Sequence, residues 1–542
     1  MNADAPHNGD AAKGDLRSSA AIDAKMSLDA IAKIRRLLIS EPAERFVASL
    51  ASAWWDNPAQ CYLALGETDL LTISPHPIHT VGLFYFSIDI GGGERVTAEV
   101  ARCLVADGYE VVLFTDLEPT PEDFELPGSV KRVVIPGQDK ASYSERCHSL
   151  GSSLRELHVD AMVYCQWLSH ALPWDMLLCK TLNVFFVVYS QSSLRTMFCE
   201  ANPVDYQLST VYRYLDGLVV LSEADNMFWS TGVPRVWRTF NPCTLIPGSV
   251  KRSALDNQTI LWLGRLSEFD KRPSEALRIM ALVHSRMPEA KLLMVGPAPN
   301  DNALADLKQL AIDLDVDECV EFVGSSEDVA SYYQIASVYL LTSRYEGWCL
   351  SLAESKAVGV PCVSYDLPYL ALFEGHRGML VSRQRDREDA AEKICRILAD
   401  RELRIKLGDD AYHHAEEIAK FDFADFWDRA LSEVSTGTPS RSRFAALDCV
   451  SDTLLGGCLE SLERLLSEIE GLVLRLDHSA RQLEEANKTI SGMQGSLDDA
   501  RQQIASQSGY IDELLNSTTW RVGSAVTWLP RKAKDKWQQG RS

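Results

Sequence analysis

Two glutamates lie eight positions apart in the stretch RYEGWCLSLAESKAVGVP, residues 344–361. The preceding SVYLLTSR predicts a strand, and LSLAESKAVG predicts a helix that ends at Gly359 before Pro361. Glu346 then lies in the turn and Glu354 on the first turns of the helix. Carboxylates accept hydrogen bonds from vicinal hydroxyls, and free N–H groups at a helix start bind phosphate. The pattern favours one anionic, hydroxyl-rich ligand, although Glu354 taken alone is better explained as a favourable charge near a helix N-terminus.

Two cations follow another predicted strand. The stretch WLGRLSEFDKRP places Arg265 and Lys271 just beyond the strand end, where they can neutralise a diphosphate and stabilise it as it departs. Solvated surface charges are the usual alternative for Lys and Arg, so this pair alone leaves the choice open. Combined with the two glutamates, the cations fit the layout of a nucleotide-sugar, which joins a ribose, a diphosphate and a hexose.

A run of three glycines separates a predicted strand from a predicted helix in FYFSIDIGGGERV. Gly91, Gly92 and Gly93 let the backbone approach a ligand and turn its N–H groups toward an anion. The pattern is not GxGxxG, and no acidic ribose partner follows at the usual distance, which disfavours a nicotinamide fingerprint. A plain tight turn is an equally good explanation of these glycines.

The elements that must position these residues form two series. Strand patterns such as VGLFYFS and EVVLFT alternate with helical stretches over residues 79–250, and TILWLG, AKLLMVG and VYLLTS do so over residues 251–435. This alternation predicts an α/β fold with two Rossmann-like domains, joined by a Pro-rich linker near residues 240–257. Ligands of such folds bind in a cleft at the carboxyl ends of the strands.

Further segments flank the two predicted domains. Residues 1–20 are small and polar and are predicted to be disordered, and residues 21–78 predict a helical extension. Leu or Ile occupies every seventh position from 462 to 511, which predicts a coiled coil over residues 445–516 that we interpret as a parallel dimer. A single long surface helix would need a broader apolar face.

The last segment, residues 517–542, is basic and carries tryptophans. It contains Trp520 and Trp528 ahead of four Lys and Arg residues, on a chain that is acidic as a whole. Such a segment can lie on an anionic membrane surface. A frayed or partner-docking tail is an equal alternative.

Composition excludes several classes of protein. The 542 residues carry a formal net charge of −22, so the body of the chain should repel nucleic acid. The 13 cysteines are scattered without a CxxC pair, which favours reduced, core-filling thiols over a disulfide framework or a zinc site. No stretch of 18 apolar residues and no signal-peptide pattern is present, so we expect a cytoplasmic protein.

The motifs GGGER, GRLSEFDK and EGWCLSLAESKAVGVP, in this order on two α/β domains, resemble those of the retaining GT-B glycosyltransferases of family 4. The resemblance covers roughly residues 80–435 and leaves out both extensions. It implies that Glu354 holds the donor ribose hydroxyls and that Glu346 contacts the transferred sugar. It further implies that the diphosphate is contacted by Arg265, Lys271, Leu350 and Ser351. Gly347 would contact the donor from the turn, and Gly92 and Gly93 would lie beside the phosphates and the acceptor. Ser325 and Glu327 would border the base.

The chain departs from the family pattern at two points. Family members commonly have Glu-Gly-Phe-Gly where this chain has Glu346, Gly347, Trp348 and Cys349. Many also place a His near the reacting carbon at the end of a first-domain strand, where this chain has a serine. His170 in CQWLSHALPW is a weak substitute, because a lone His is more often structural.

The resemblance implies a metal-independent enzyme without a cofactor, in agreement with the lack of a well-placed Asp-x-Asp at a strand end. It would move a hexose from a nucleoside diphosphate sugar to a growing surface glycan or a lipid-linked acceptor. The coiled coil would join copies of the chain or a partner protein, and the tail would contact the inner face of the membrane. A degenerate GT-B scaffold of a polysaccharide assembly complex is the alternative, and a sugar-nucleotide epimerase is a third.

Overall fold

The computed structural model describes residues 42–66, 68–89, 91–199, 203–326, 328–437, 488–490 and 492–513. The chain separates into two compact units, Met1–Asp452 and Thr453–Ser542. The first unit contains two α/β domains, which confirms the predicted fold class. Among the described residues, none of the helices combines the length and the apolar character needed to cross a membrane.

The first domain contains a parallel sheet of seven strands. They are β1 (Thr80–Phe84), β2 (Glu110–Thr115), β3 (Lys131–Val134), β4 (Ala161–Tyr164), β5 (Phe185–Tyr189), β6 (Gly217–Val220) and β7 (Val236–Arg238). Their order is β3-β2-β1-β4-β5-β6-β7, with Gly82 of β1 opposite both Val112 and Met162. The central strands are continuous apolar runs because helices cover both faces of the sheet. The order reverses beside β1, so the crevice at its carboxyl end is the expected ligand position.

Two helices of the predicted N-terminal extension pack on this domain. The first-domain helices are α1 (Ala43–Trp54), α2 (Pro58–Leu65), α3 (Gly92–Ala106), α4 (Tyr143–Glu156), α5 (Leu172–Thr181), α6 (Leu194–Cys199), α7 (Pro203–Val211) and α8 (Glu223–Trp229), with a short 3₁₀ turn at Asp69–Leu71 and another at Tyr212–Tyr214. Helix α1 places Phe46, Val47 and Leu50 against α4 and α5, where all three are fully buried. The extension therefore completes the first domain, and residues 1–41 lie outside the described part of the chain.

The second domain contains a parallel sheet of six strands. They are β8 (Thr259–Leu263), β9 (Lys291–Val295), β10 (Val320–Gly324), β11 (Val338–Leu341), β12 (Cys362–Tyr365) and β13 (Met379–Ser382), in the order β10-β9-β8-β11-β12-β13. This order reverses between β8 and β11. The loop after β8 carries Arg265 and Lys271, and the turn after β11 carries Glu346. Parallel neighbours end at the same edge, so the topology brings the two motifs together.

The second-domain helices lead the chain back to the first domain. They are α9 (Pro273–His284), α10 (Asp301–Asp313), α11 (Val329–Ile335), α12 (Leu350–Ala357), α13 (Arg387–Ala399), α14 (Arg401–Ile418) and α15 (Phe423–Val434), with a 3₁₀ segment at Ala371–His376. Helix α15 packs on α3, and its Trp427 is fully buried with its ring 5.3 Å from that of Tyr189. The last helix of the second domain therefore ties the two domains together.

One further helix, residues 488–490 and 492–513, belongs to the second compact unit. Its heptad positions Ile490, Leu497, Ile504 and Ile511 are each more than half exposed. The rest of the predicted coiled coil and the basic tail fall outside the described residues, so their structure remains a prediction.

Candidate active site

An ion pair joins the two motifs of the second domain. The Lys271 Nζ lies 2.6 Å from Glu346 Oε1, and the Ser343 hydroxyl donates to the same oxygen at 2.6 Å. The Glu346 backbone N–H donates to the Tyr369 hydroxyl at 3.0 Å, which fixes the turn. Burial lowers the pKa of Lys271, but Glu346, together with smaller contributions from Cys349 and Asp270, holds the pKa above its ordinary value. The ammonium therefore stays charged in the cleft.

Arg265 occupies the rim of the same site. Its side chain is 71% exposed and pairs with Asp270 Oδ2 at 3.2 Å. Its positive charge also acts on Glu94 of the first domain, where it offsets a small part of the rise in pKa that burial causes. Both cations pair with a carboxylate, and Arg265 is the more exposed of the two.

Glu354 is held at the domain boundary by residues from three other elements. Its side chain is 6% exposed, and Thr244 of the linker donates to Oε1 at 2.5 Å. The Tyr333 hydroxyl of α11 donates to Oε2 at 3.0 Å, and Arg95 of α3 lies 3.5 Å from Oε1. Burial raises the pKa of Glu354, while these three neighbours lower it. The carboxylate therefore contacts residues of both domains.

The start of α12 lies beside the glycine loop. Cys349 precedes the helix in a left-handed conformation, with φ 71° and ψ 75°, and its side chain does not cap the helix. The N–H groups of Leu352 and Ala353 are the first to bond back to Cys349, so those of Leu350 and Ser351 precede the helical ladder. The Ser351 hydroxyl accepts from Tyr339 at 2.7 Å. This helix start can offer backbone donors to an anion.

Three glycines of the site make close approaches, two of them to the opposite domain and one within the first domain. A Cβ at Gly347 would overlap the backbone carbonyl oxygen of Gln191 in the first domain, and a Cβ at Gly93 would overlap the Tyr85 hydroxyl. A Cβ at Gly92 would lie 3.2 Å from a methyl group of Leu350. Gly347 and Gly92 therefore allow the two domains to come into contact at the site, which a plain turn would not require, whereas Gly93 makes room for Tyr85.

Several residues of the site escaped the sequence reasoning. Thr244, Tyr333 and Tyr369 come from segments without any motif, so no local signal marks them. Glu94 and Arg95 lie within GGGER but received no role. Burial raises the pKa of Glu94 to about 7, and Asp89 adds to the rise.

The remaining predicted site residues lie further along the carboxyl edges of the two sheets. His170 is half-buried in the loop between β4 and α5, and Ser325 is exposed just after β10. Their roles stay predictions, and Glu327 lies outside the described residues. In the described part of the chain, no group of three or more His, Cys, Asp or Glu side chains is arranged to hold a metal ion.

Comparison with known proteins shows what this chain is similar to. Residues 249–414 match the family model of the glycosyl transferases group 1. An uncharacterized glycosyltransferase of Haemophilus influenzae is 25% identical over 350 residues, covering 62% of this chain and 95% of that protein. A D-inositol 3-phosphate glycosyltransferase of Corynebacterium efficiens is 28% identical over 206 residues, covering 36% of this chain and 48% of its own length, so the chain spans about half of that relative.

Solved structures agree on the fold. TarM of S. aureus, in complex with fondaparinux, alpha-GlcNAc-glycerol and UDP, matches with a TM-score of 0.55 at 11% identity. The match covers 66% of this chain and 100% of TarM. The fold of the chain is GT-B, and the matches together support a GT-B glycosyltransferase of group 1.

Proposed function

We propose that the chain is a retaining glycosyltransferase that moves a hexose from a nucleoside diphosphate sugar to a glycan or lipid-linked acceptor. The observation that carries the proposal is the convergence of the Lys271–Glu346 pair, Glu354 and the glycine loop on one cleft between the two domains. These groups come from both domains, and together they offer cations, carboxylates and backbone donors. A nucleotide-sugar needs all three kinds of partner.

Each group of residues has a distinct role in this proposal. Lys271 and Arg265 hold the diphosphate, and the backbone N–H groups of Leu350 and Ser351 add to them. Glu354 accepts from the ribose hydroxyls, and Glu346 contacts the transferred sugar. Gly92, Gly93 and Gly347 keep the approach to the phosphates free of side chains.

The cations are central to the proposed chemistry. As the bond between the sugar and the diphosphate lengthens, negative charge grows on the leaving phosphate and positive charge on the sugar. Lys271 and Arg265 stabilise the first charge without a metal ion, and the Glu346 carboxylate lies where it can stabilise the second. Attack from the face that the diphosphate leaves would retain the configuration at the sugar carbon, as in the family that the motifs resemble.

The acceptor is proposed from the similarity to TarM, and the cellular setting from the heptad segment and the basic tail. TarM was solved with a GlcNAc-glycerol ligand and UDP, in agreement with surface-glycan chemistry. We propose a cytoplasmic protein that forms a homo-oligomer, or binds a partner protein, through its heptad segment. The basic tail would bring it to the inner face of the membrane.

A donor panel tests the proposal. Isothermal calorimetry with UDP-, GDP-, ADP- and dTDP-sugars should reveal one donor that binds and is hydrolysed or transferred. Glu354→Gln should reduce turnover of that donor by about 10²-fold or more, because a neutral amide accepts less strongly from the ribose hydroxyls. Glu388→Gln, an exposed glutamate paired with Arg286 on the second domain, is the matched control and should behave as wild type.

The two alternatives give different outcomes in the same panel. A catalytically degenerate scaffold would bind no donor, although it could still self-associate. A sugar-nucleotide epimerase would release an altered sugar without an acceptor. Unchanged turnover in Glu354→Gln would contradict the assignment of the site.

A further inference from the structure

Arg95 makes an ion pair that crosses the cleft. It lies on the first turn of α3 in the first domain, and its NH1 is 3.5 Å from Glu354 Oε1 in the second. The guanidinium also lies over the ring of Phe124, 5.6 Å from the ring centroid. The ring and the carboxylate therefore hold the same side chain, which fixes it at the domain boundary.

Of the three side chains that hold the Glu354 carboxylate, Arg95 is the one that carries a charge. Thr244 and Tyr333 hydrogen-bond to the carboxylate but are neutral. On the same helix, Lys356 bonds to the Arg377 carbonyl oxygen and lies 3.1 Å from His414 Nδ1. Lys356 is thus engaged away from the carboxylate, and the pKa of Glu354 is lowered first by the hydrogen bonds from Thr244 and Tyr333 and then by the charge of Arg95.

We propose that Arg95 is a positioning residue, which keeps Glu354 charged and oriented for the ribose hydroxyls and does so only when the two domains meet. The inference rests on the function proposed above. A buried carboxylate without a compensating cation takes up a proton more readily, and a protonated carboxyl accepts hydrogen bonds less well. Because Arg95 and Glu354 belong to different domains, closing the cleft would itself prepare the ribose site.

The direction of the expected pH effect follows from this arrangement. Burial already raises the pKa of Glu354 above its ordinary value. Loss of Arg95 raises it further, so the carboxylate becomes neutral at a higher pH. Binding of a nucleoside diphosphate by the variant should therefore fail at mildly acidic pH, where wild type still binds, and recover at alkaline pH.

Calorimetric titration of UDP and GDP between pH 5 and pH 8.5 tests the proposal. In Arg95→Gln, the pH at which binding is half lost should rise by about one unit, so that the variant binds about twofold more weakly than wild type at that pH and up to about tenfold more weakly well below it. Arg95→Lys should restore most of the wild-type profile because it keeps the charge. Arg102→Gln is the matched control: it removes an arginine of the same helix, 41% exposed against 36% for Arg95, and should leave the profile unchanged.

Two results would overturn the inference. One is a pH profile of Arg95→Gln that coincides with wild type. The other is a loss of affinity by the same factor at every pH, which would indicate a direct contact or a purely structural role.

Failure of the proposed function would look different, because wild type would bind no nucleoside diphosphate at any pH. The ion pair is then tested by thermal unfolding. In a series of Tm measurements from pH 5 to pH 8, Arg95→Gln should be destabilised relative to wild type most at the alkaline end, because ionisation of Glu354 leaves an uncompensated charge, and less as the pH falls and the carboxylate takes up a proton. A difference in Tm that does not vary with pH would contradict the inference.

Discussion

At the scale of single residues, Lys271 and Glu346 depend on each other. Their atoms lie 2.6 Å apart, and both side chains are largely buried. A buried ion pair is costly to break from one side, because the remaining charge has no partner. The pair therefore holds a cation ready for phosphate while keeping the carboxylate beside the position proposed for the sugar.

Replacing Lys271 by Met should separate these two roles. The change keeps the apolar stem and removes the charge, so donor turnover should fall by about 10²-fold or more. The free energy of unfolding, measured in urea, should also fall because Glu346 is left unpaired. The double variant Lys271→Met, Glu346→Gln should regain stability but not turnover. Normal turnover in the single variant would remove Lys271 from the proposed site.

At the scale of elements, the turn between β11 and α12 brings the domains together. Gly347 lies against the backbone of Gln191 and Ser192, which follow β5 of the first domain. Backbone atoms cannot move aside as a flexible side chain can. The position of the whole turn, with Glu346 before it and α12 after it, therefore depends on a glycine here.

Gly347→Ala should push the turn away from the first domain. A displacement of about 1 Å can cost about 10²-fold in rate, so we expect a loss of that order in kcat/KM for the donor. Gly128→Ala is a suitable control, since a Cβ there has no neighbour within 4 Å and lies away from the proposed site. Circular dichroism should show both variants folded. Equal activity of the two variants would show that close contact of the domains is not needed.

At the scale of the whole molecule, the second compact unit offers an apolar stripe. Ile504 and Ile511 are 67% and 54% exposed, although isoleucine is usually buried. Such a stripe at seven-residue spacing is typical of a helix that pairs with another helix. The proposed homo-oligomer follows from this pattern.

Ile504→Asp should weaken self-association, because a charge in the seam of a coiled coil is desolvated without a partner. Analytical ultracentrifugation of the full chain should show a shift toward monomer. Gln502→Asp adds the same charge on the opposite side of the helix and should leave the assembly unchanged. An identical mass for wild type and Ile504→Asp at all concentrations would contradict the proposal.

Much of the architecture was predictable because it depends on local patterns. Apolar runs bounded by turn residues mark the central strands, and the helix that ends at Gly359 follows from its own sequence. Strand β7 was missed, since it has three residues, is only partly buried and lies at the sheet edge. The residues Glu346, Glu354, Arg265 and Lys271 were identified from spacing; in the structure Lys271 pairs with Glu346 and Glu354 meets Arg95 of the first domain, while their roles stay predictions.

The sequence by itself determined two α/β domains and the kinds of group that line their cleft, because periodicity and spacing are local properties of a chain. Only the tertiary structure decided which residues complete the site. Thr244 reaches Glu354 from 110 positions away, and Arg95 reaches it from the other domain. Such contacts depend on strand order and on how the domains close, and neither is written in any short stretch of sequence.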